Sequence, residues 1–152
     1  TTGNKRLPGP KWEVAKHMLS KPASGERQDI IKHSMKTRRL IGSPAHPVTD
    51  AELKISVERT LARGSEPAGT LRQMAAVIAS PSRVPQLRQL RVPALVIHGA
   101  ADPLVQLACG EDTAAAIPGA KLEVIAGMGH DLPAALLDRI QHLIVAHAKA
   151  AE

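Results

Sequence analysis

The segment Val92-Pro93-Ala94-Leu95-Val96-Ile97-His98-Gly99-Ala100-Ala101-Asp102-Pro103-Leu104-Val105 decides the fold. Its apolar run is too short for a helix and carries the β-branched residues Val96 and Ile97, so we expect a buried strand over 94–98. A glycine frees the backbone directly after the strand, and the proline that follows Asp102 favours an extended conformation at this aspartate. Ligands of open α/β sheets bind beyond the carboxyl ends of the strands. Asp102 is therefore the first candidate functional residue.

A second strand and a second loop follow further along the chain. The segment Lys121-Leu122-Glu123-Val124-Ile125 begins with alternating polar and apolar residues, which is typical of a strand. It leads into the glycine-rich loop 126–133, which contains His130. Helical patterns cover residues 105–116 and 134–149, and this order of elements predicts a right-handed parallel βαβ unit with a final helix. We expect the final helix to bury five aliphatic residues, Leu136, Leu137, Ile140, Leu143 and Ile144.

The two loops lie at the same edge of a parallel sheet, so Asp102 and His130 are expected to approach each other. A carboxylate that accepts the Nδ1–H of an imidazole fixes its tautomer and leaves Nε2 free to act as a base. Each residue also has a structural interpretation. An aspartate before proline is typical of a turn or a helix cap, and a histidine in a glycine-rich loop is typical of the protein surface. We expect Asp131 to be the N-cap of the final helix.

The first half of the chain predicts helices only. Residues 10–80 contain four short amphipathic patterns, and no strand pattern lies between them. Ser24 is a plausible N-cap of the second helix, and Thr49 with Glu52 fits a capping box at the start of the third. Pro67 is expected to open the fourth helix. The residues expected to face inward are Trp12, Ala15, Met18 and Leu19 in the first helix and Leu71, Met74, Ala75 and Ile78 in the fourth.

The chain therefore divides into three parts. Residues 1–9 are predicted to form an N-terminal loop, residues 10–91 a helical region with its connector, and residues 92–152 the βαβα part. This last part follows a proline-punctuated connector over 81–92, where the apolar period changes.

Composition limits the partners and the compartment. Cys109 is the only cysteine, which favours a reducing compartment and so the cytoplasm. No apolar run is long enough for a membrane span, and residues 1–6 are not followed by the apolar region that a signal peptide requires. Up to Arg91 the sequence has 17 Lys and Arg against 7 Asp and Glu, but without aromatic residues between them we expect a solvated surface rather than a nucleic-acid site. The histidines show no metal-ligand spacing, so we expect neither a metal nor another cofactor.

Two segments, 92–103 and Gly127-Met128-Gly129-His130, resemble the last motifs of an α/β-hydrolase, where the order is Ser…Asp…His. The helices resemble the cap that many members insert before the acid-bearing strand. The whole resembles the C-terminal half of an esterase-like member, similar to the aclacinomycin methylesterase group. The resemblance implies a partial α/β-hydrolase fold, in which a four-helix cap precedes a parallel βαβα unit. It also implies Asp102 as the catalytic acid, His130 as the general base, and a small-molecule ester as the substrate of the complete protein.

One part of the family pattern is absent from the sequence. No serine lies in a Gly-x-Ser-x-Gly elbow, and the oxyanion-hole loop and the early strands are absent as well. The serines are Ser20, Ser24, Ser34, Ser43, Ser56, Ser65, Ser80 and Ser82. We therefore expect the chain to be inactive alone, with its open sheet edge covered by the missing N-terminal half or by another chain.

Two questions stay open from the sequence. The first question is whether the chain belongs to an enzyme. The alternative is a non-catalytic remnant or complementing subunit that acts as a binding or assembly module. The second concerns the reaction, because dehalogenases and epoxide hydrolases place an aspartate where esterases place the serine. Their acid and histidine would be the same as Asp102 and His130, so the reaction type and the substrate are not decided.

Overall fold

A computed structural model describes residues 2–64 and 67–151 of the chain. Most of the predicted elements are present, with boundaries that differ by a few residues. The elements are α1 Trp12–Met18, α2 Arg27–Ile41, α3 Asp50–Ala62, α4 Pro67–Ala79, α5 Val84–Leu87, β1 Leu95–Gly99, α6 Leu107–Ala116, β2 Lys121–Ile125 and α7 Leu137–Lys149, the last preceded by a 3-10 turn at Ala134–Leu136. The short helix α5 lies in the connector and was not predicted.

The two strands form a parallel sheet, as the sequence predicts. Leu95 pairs with Lys121 at one end of the register and Gly99 with Ile125 at the other. Helix α6 connects the strands and packs against both of them. Parallel strands need such a crossover, and it brings the carboxyl ends of both strands to one edge of the sheet.

The hydrophobic core of this part lies between the sheet and the final helix. Ile125, Met128, Leu136 and Ile140 form a buried cluster, and Ile97 packs against it. Ile125 is buried at the end of β2, and Ile140 is buried on the apolar face of α7, as the sequence predicts for the final helix. Leu137 and Ile144, which we expected to be buried, are about half exposed. The helix therefore contacts the sheet along a narrower face than its apolar pattern predicts.

The buried face of α1 is not the predicted one. Trp12 and Leu19 are three-quarters exposed, whereas Val14 and His17 are buried against α2. The reason is that α2 offers His17 polar partners: Nε2 of His17 lies 2.9 Å from Oγ1 of Thr37. A buried polar side chain with hydrogen-bond partners costs little, so His17 is accommodated in this contact.

The capping prediction is confirmed for α3 and wrong for α2. Oγ1 of Thr49 accepts a hydrogen bond from the backbone N–H of Glu52, and the Glu52 carboxylate accepts one from the N–H of Thr49 in return. Helix α2 has Glu26 at its N-cap, and Ser24 lies two residues earlier. The Ser24 hydroxyl donates to Asp29 and accepts from the N–H of Glu26, so it stabilises the turn before the helix.

Helix α4 begins at Pro67, as predicted, but its apolar residues are not inside. Val77 and Ile78 are about 70% exposed, and Ala75 is exposed as well. Met74 is only partly buried. The side chain of Leu71 lies outside the described residues.

The loop that precedes α1 runs back over the C-terminal part of the chain. Thr2 is fully buried, and its hydroxyl donates to the carboxylate of Asp112 in α6. The side-chain amide of Asn4 donates to the same carboxylate at 3.0 Å. Further along, the backbone N–H of Lys11 donates to the carbonyl of Pro103 at 2.8 Å. This loop therefore fixes the position of α1 relative to the Asp102 loop.

The described residues contain neither a helix fit to cross a membrane nor a metal-binding cluster. No helix in residues 2–64 or 67–151 has the length and the apolar character that a membrane crossing requires. Within the same ranges, no group of three or more His, Cys, Asp or Glu side chains has a metal-binding arrangement.

Candidate functional site

Asp102 lies in the turn just after β1, and its carboxylate is almost completely buried. Oδ1 accepts hydrogen bonds from the backbone N–H groups of Leu104 and Val105, both at 2.9 Å. These bonds fix one carboxylate oxygen on its own loop, as aspartate side chains do in turns. The other oxygen, Oδ2, is left to face the neighbouring loop.

His130 lies in the loop after β2 and faces Asp102. Its Nδ1 is 2.8 Å from Oδ2 of Asp102, although 28 residues separate the two in sequence. An ionised carboxylate has no proton to donate, so Nδ1 carries the hydrogen and donates it. The neutral imidazole then has its free lone pair on Nε2, which is the arrangement of a general base. The His130 side chain is 38% exposed, whereas that of Asp102 is 5% exposed.

A second histidine lies close to the same carboxylate. Nε2 of His98, at the end of β1, is 2.8 Å from the carbonyl oxygen of Val105 and 3.9 Å from Oδ2 of Asp102. The short distance identifies the carbonyl as the hydrogen-bond acceptor. His98 therefore supports the far side of the Asp102 turn, a role that no sequence pattern indicated.

Two glycines allow the His130 loop to take its path. Gly127 has a φ of 69°, a conformation that side chains other than glycine rarely adopt. Gly129 packs directly on the backbone of Gly42, where a Cβ atom would collide with the Gly42 carbonyl. The backbone N–H of His130 then donates to the carbonyl of Ile41 at 2.8 Å. The end of α2 thus contacts the loop that carries the histidine.

The side chains of Ser43 and Asp131 complete this contact. Oγ of Ser43 accepts a hydrogen bond from the N–H of Gly129 at 2.8 Å and donates one to Oδ1 of Asp131. The prediction that Asp131 is the N-cap of the final helix is wrong, because Leu136 is at the cap of α7 and Pro133 is at the cap of the 3-10 turn before it. The sequence could not reveal this pair, since 88 residues separate Ser43 from Asp131.

A cleft of about 1320 Å³ opens beside His130. The last turn of α2 and the loop after it form one wall, the start of α3 forms another, and Ala101 and Pro103 of the Asp102 turn lie between them. Arg38 and Arg39 contribute positive charge to the wall. Arg39 forms an ion pair with Asp50, and Arg38 donates to the hydroxyls of two residues of α3, Ser56 and Thr60.

The described residues show no activated nucleophile at this cleft. Ser43 and Ser56 line it, but both are hydrogen-bonded elsewhere as described above, and Ser65 lies outside the described residues. Cys109 is buried in α6, where desolvation raises the pKa of its thiol and so disfavours the thiolate. The chain thus presents a carboxylate and an imidazole in contact, and the sequence has no Gly-x-Ser-x-Gly motif.

Known proteins resemble the chain in sequence and in structure. Rhodomycin D methylesterase from Streptomyces sp. (strain C5) is 29% identical over 138 residues, which are 88% of this chain and 45% of that protein. A bromoperoxidase from Bacillus anthracis superposes with a TM-score of 0.65 at 22% identity, over 78% of this chain and 44% of that one. A meta-cleavage product hydrolase from Pseudomonas fluorescens IP01 gives 0.66 at 20% identity, over 94% and 52%. No protein-family model matches the chain.

The chain forms part of an α/β-hydrolase fold. It resembles esterase-like members of that fold, as the two motifs of its sequence predicted. It spans about half the length of the relatives it matches, with 45% of the methylesterase covered. The α/β-hydrolase relatives carry different activities in their names, so the fold alone does not define a reaction.

Proposed function

We propose that Asp102 and His130 are the acid and the general base of a carboxylic-ester hydrolase. The observation that carries this proposal is the 2.8 Å contact between Nδ1 of His130 and Oδ2 of Asp102 at the carboxyl edge of the two strands. The carboxylate is buried and held by its own loop, so it can orient the imidazole without competition from water.

The reaction follows the steps of a serine hydrolase. Nε2 of His130 takes the proton of a serine hydroxyl while the serine oxygen attacks the ester carbonyl, and the imidazolium returns that proton to the departing alkoxide. Water then enters by the same route and releases the acid product. Asp102 keeps the imidazole in the reactive tautomer and stabilises its positive charge. The serine itself and the oxyanion hole come from a segment that the 152 residues do not contain.

The substrate class follows from the resemblance and from the cleft. The name of the Streptomyces relative describes a methylesterase, and the cleft beside His130 gives a substrate access to the imidazole. We propose a small-molecule ester as the substrate of the complete protein, with residues 10–91 as a helical cap that forms the pocket wall.

The sheet supports the need for a further segment. Within residues 2–64 and 67–151 the sheet has two strands, so its outer edges have no strand neighbour there. Parallel sheets in proteins are usually covered on both faces. An edge strand without a neighbour presents unpaired backbone N–H and C=O groups. We propose that the N-terminal half of the fold covers this edge, from the same polypeptide or from a second one.

A second candidate function is a non-catalytic remnant or complementing subunit. The absence of a Gly-x-Ser-x-Gly motif from the sequence favours it. The DNA upstream of the Thr1 codon separates the two candidates. An in-frame elbow motif there supports the enzyme, and a start codon directly before Thr1 supports the subunit.

Ester hydrolysis tests the proposal at two levels. The 152-residue chain and its His130→Ala variant should hydrolyse p-nitrophenyl acetate at the same background rate, because neither has the nucleophile. In the complete protein, loss of the histidine should lower kcat on the order of 10⁶-fold and loss of Asp102 about 10⁴-fold, as in other serine triads. Full activity of the complete His130→Ala protein would refute the proposed roles.

A further inference from the structure

We infer that Ser43 is a positioning residue for His130, acting together with Asp131. The inference rests on the proposed role of His130 as a base. It adds a residue of the helical region to the machinery that orients this base.

The side chain of Ser43 contacts the residues on both sides of His130. Its Oγ accepts the N–H of Gly129, which directly precedes the histidine, and donates to the carboxylate of Asp131, which directly follows it. Ser43 is 4% exposed, so water does not compete for these bonds. A single hydroxyl therefore restrains the backbone before His130 and the side chain after it.

Backbone contacts bring the same two segments together. The N–H of His130 donates to the carbonyl of Ile41 at 2.8 Å, and the N–H of Ala45 donates to the carbonyl of Gly127 at 3.2 Å. These bonds hold the loop against the end of α2. Ser43 adds a bond to the N–H of Gly129 before the histidine and a bond to the side chain of Asp131 after it. These two added bonds are the restraint by which Ser43 directs Nδ1 of His130 at Asp102.

A hydroxyl at this position contributes more to geometry than to stability. Each hydrogen bond adds little to the free energy of folding, because the protein–protein bond replaces a bond to water. The direction of the bond, however, is well defined. The same segment, residues 40–43, lines the cleft. The wall of the cleft and the orientation of the base are therefore set by one piece of chain.

The tautomer of His130 provides a direct test in the 152-residue chain. It is read from the ¹⁵N shifts of the imidazole in a long-range ¹H–¹⁵N spectrum at about pH 8.5, where an ordinary imidazole is neutral. Wild type should show the Nδ1–H form. Ser43→Ala should lose the majority of that form and should exchange the backbone N–H of His130 about tenfold faster, because two hydrogen bonds are removed.

Matched variants separate positioning from general loosening. Ser24→Ala also removes a hydroxyl that donates to an aspartate, but at the opposite end of α2, and should leave the His130 spectrum unchanged. Asp131→Ala removes one of the two Ser43 bonds and should give an intermediate loss of the Nδ1–H form. Asp131→Asn keeps an acceptor oxygen for the Ser43 hydroxyl and should restore the wild-type spectrum.

The outcomes are distinct from those of the esterase test. A folded Ser43→Ala chain with an unchanged His130 tautomer overturns the inference. If Ser43→Ala does not fold, Asp131→Ala decides in its place, and an unchanged tautomer there has the same meaning. An inactive complete protein in which Ser43→Ala still shifts the tautomer contradicts the proposed function alone, since this readout involves no turnover.

Discussion

The carboxylate of Asp102 divides its two oxygens between two loops. Oδ1 accepts the N–H groups of Leu104 and Val105 on its own loop, and Oδ2 faces Nδ1 of His130 at 2.8 Å. This division makes the role of each oxygen separable by substitution, because asparagine has one oxygen and one amide nitrogen at the same positions.

We expect Asp102→Asn to reverse the tautomer of His130. The two backbone N–H groups require the oxygen of the asparagine, so its NH₂ group faces Nδ1 and donates to it. The imidazole proton then moves to Nε2, and the base of the proposed reaction is lost. The ¹⁵N shifts of His130 in the 152-residue chain measure this change. Asp112→Asn, in α6 beneath Thr2, is the control and should leave His130 unaltered; an Nδ1–H form in Asp102→Asn would contradict the assignment.

The buried end of β2 should carry much of the stability of the C-terminal part. Ile125 is 1% exposed within the cluster of Met128, Leu136 and Ile140. Ile125→Ala removes buried methyl groups and leaves a cavity, so we expect about 2–5 kcal/mol lower free energy of unfolding. The neighbouring Val124 is 38% exposed, and Val124→Ala should cost roughly 0.5 kcal/mol. Urea denaturation measures both, and equal losses would show that this cluster is not the core.

The capping box of α3 should be visible in the stability of the chain. Thr49→Ala removes the acceptor for the N–H of Glu52 and leaves an N-terminal amide unpaired. Loss of such a cap costs about 1 kcal/mol. Thermal unfolding of Thr49→Ala against Ser24→Ala measures it, because Ser24 is not at the cap. A smaller effect for Thr49 than for Ser24 would contradict the capping geometry.

The same box adds a pH dependence. Hydrogen bonds from the Thr49 side chain and backbone lower the pKa of Glu52 below 4.5. A folded pKa below the unfolded one gives stabilisation that is present above the unfolded value and is lost as pH falls through the folded value. Glu52→Gln should therefore flatten the stability curve on the acid side of pH 4.5.

His33 should make the contact between α1 and α2 sensitive to mild acid. Its ring stacks on that of His17 with centroids 4.4 Å apart, and burial, His17 and Lys36 lower its pKa below 6.5. The unfolded chain then binds the proton more readily, so stability falls as pH drops from 6.5 through the folded pKa. The Tm of His33→Gln should fall less than that of wild type over this window. His142→Gln, on the exposed side of α7, should behave as wild type does.

The βαβα part was predictable because its signals are local. A short β-branched run, a glycine and a proline around Asp102 suffice for a strand and its turn, and β2 has the predicted bounds Lys121–Ile125. Parallel pairing then brings Asp102 and His130 to one edge without any knowledge of side-chain packing. The proximity of the two residues follows from the parallel strand topology, which the apolar pattern of the sequence predicts.

The buried faces of the helices were less predictable because burial depends on the partner. Trp12 and Leu19 at α1 are exposed, whereas Val14 and His17 are buried and the ring of His17 pairs with Thr37 of α2. In α4, Ile78 was predicted to face inward but is exposed. Ser43 and Asp131 were missed for a different reason. Each has a common local interpretation, a loop serine before proline and a helix cap, and only the fold brings them together.

The loop before α1 has a consequence for the order of folding. Leu95 and Lys121 pair across a short stretch of chain, whereas the hydroxyl of Thr2 reaches Asp112 across 110 residues. Closing a longer loop costs more entropy, so the strand pair can form early and the Thr2 contact late. During synthesis, residues 2–11 leave the ribosome before their partners in α6 exist. Residues 2–11 cannot contact α6 until that helix has been synthesised, so this contact forms late.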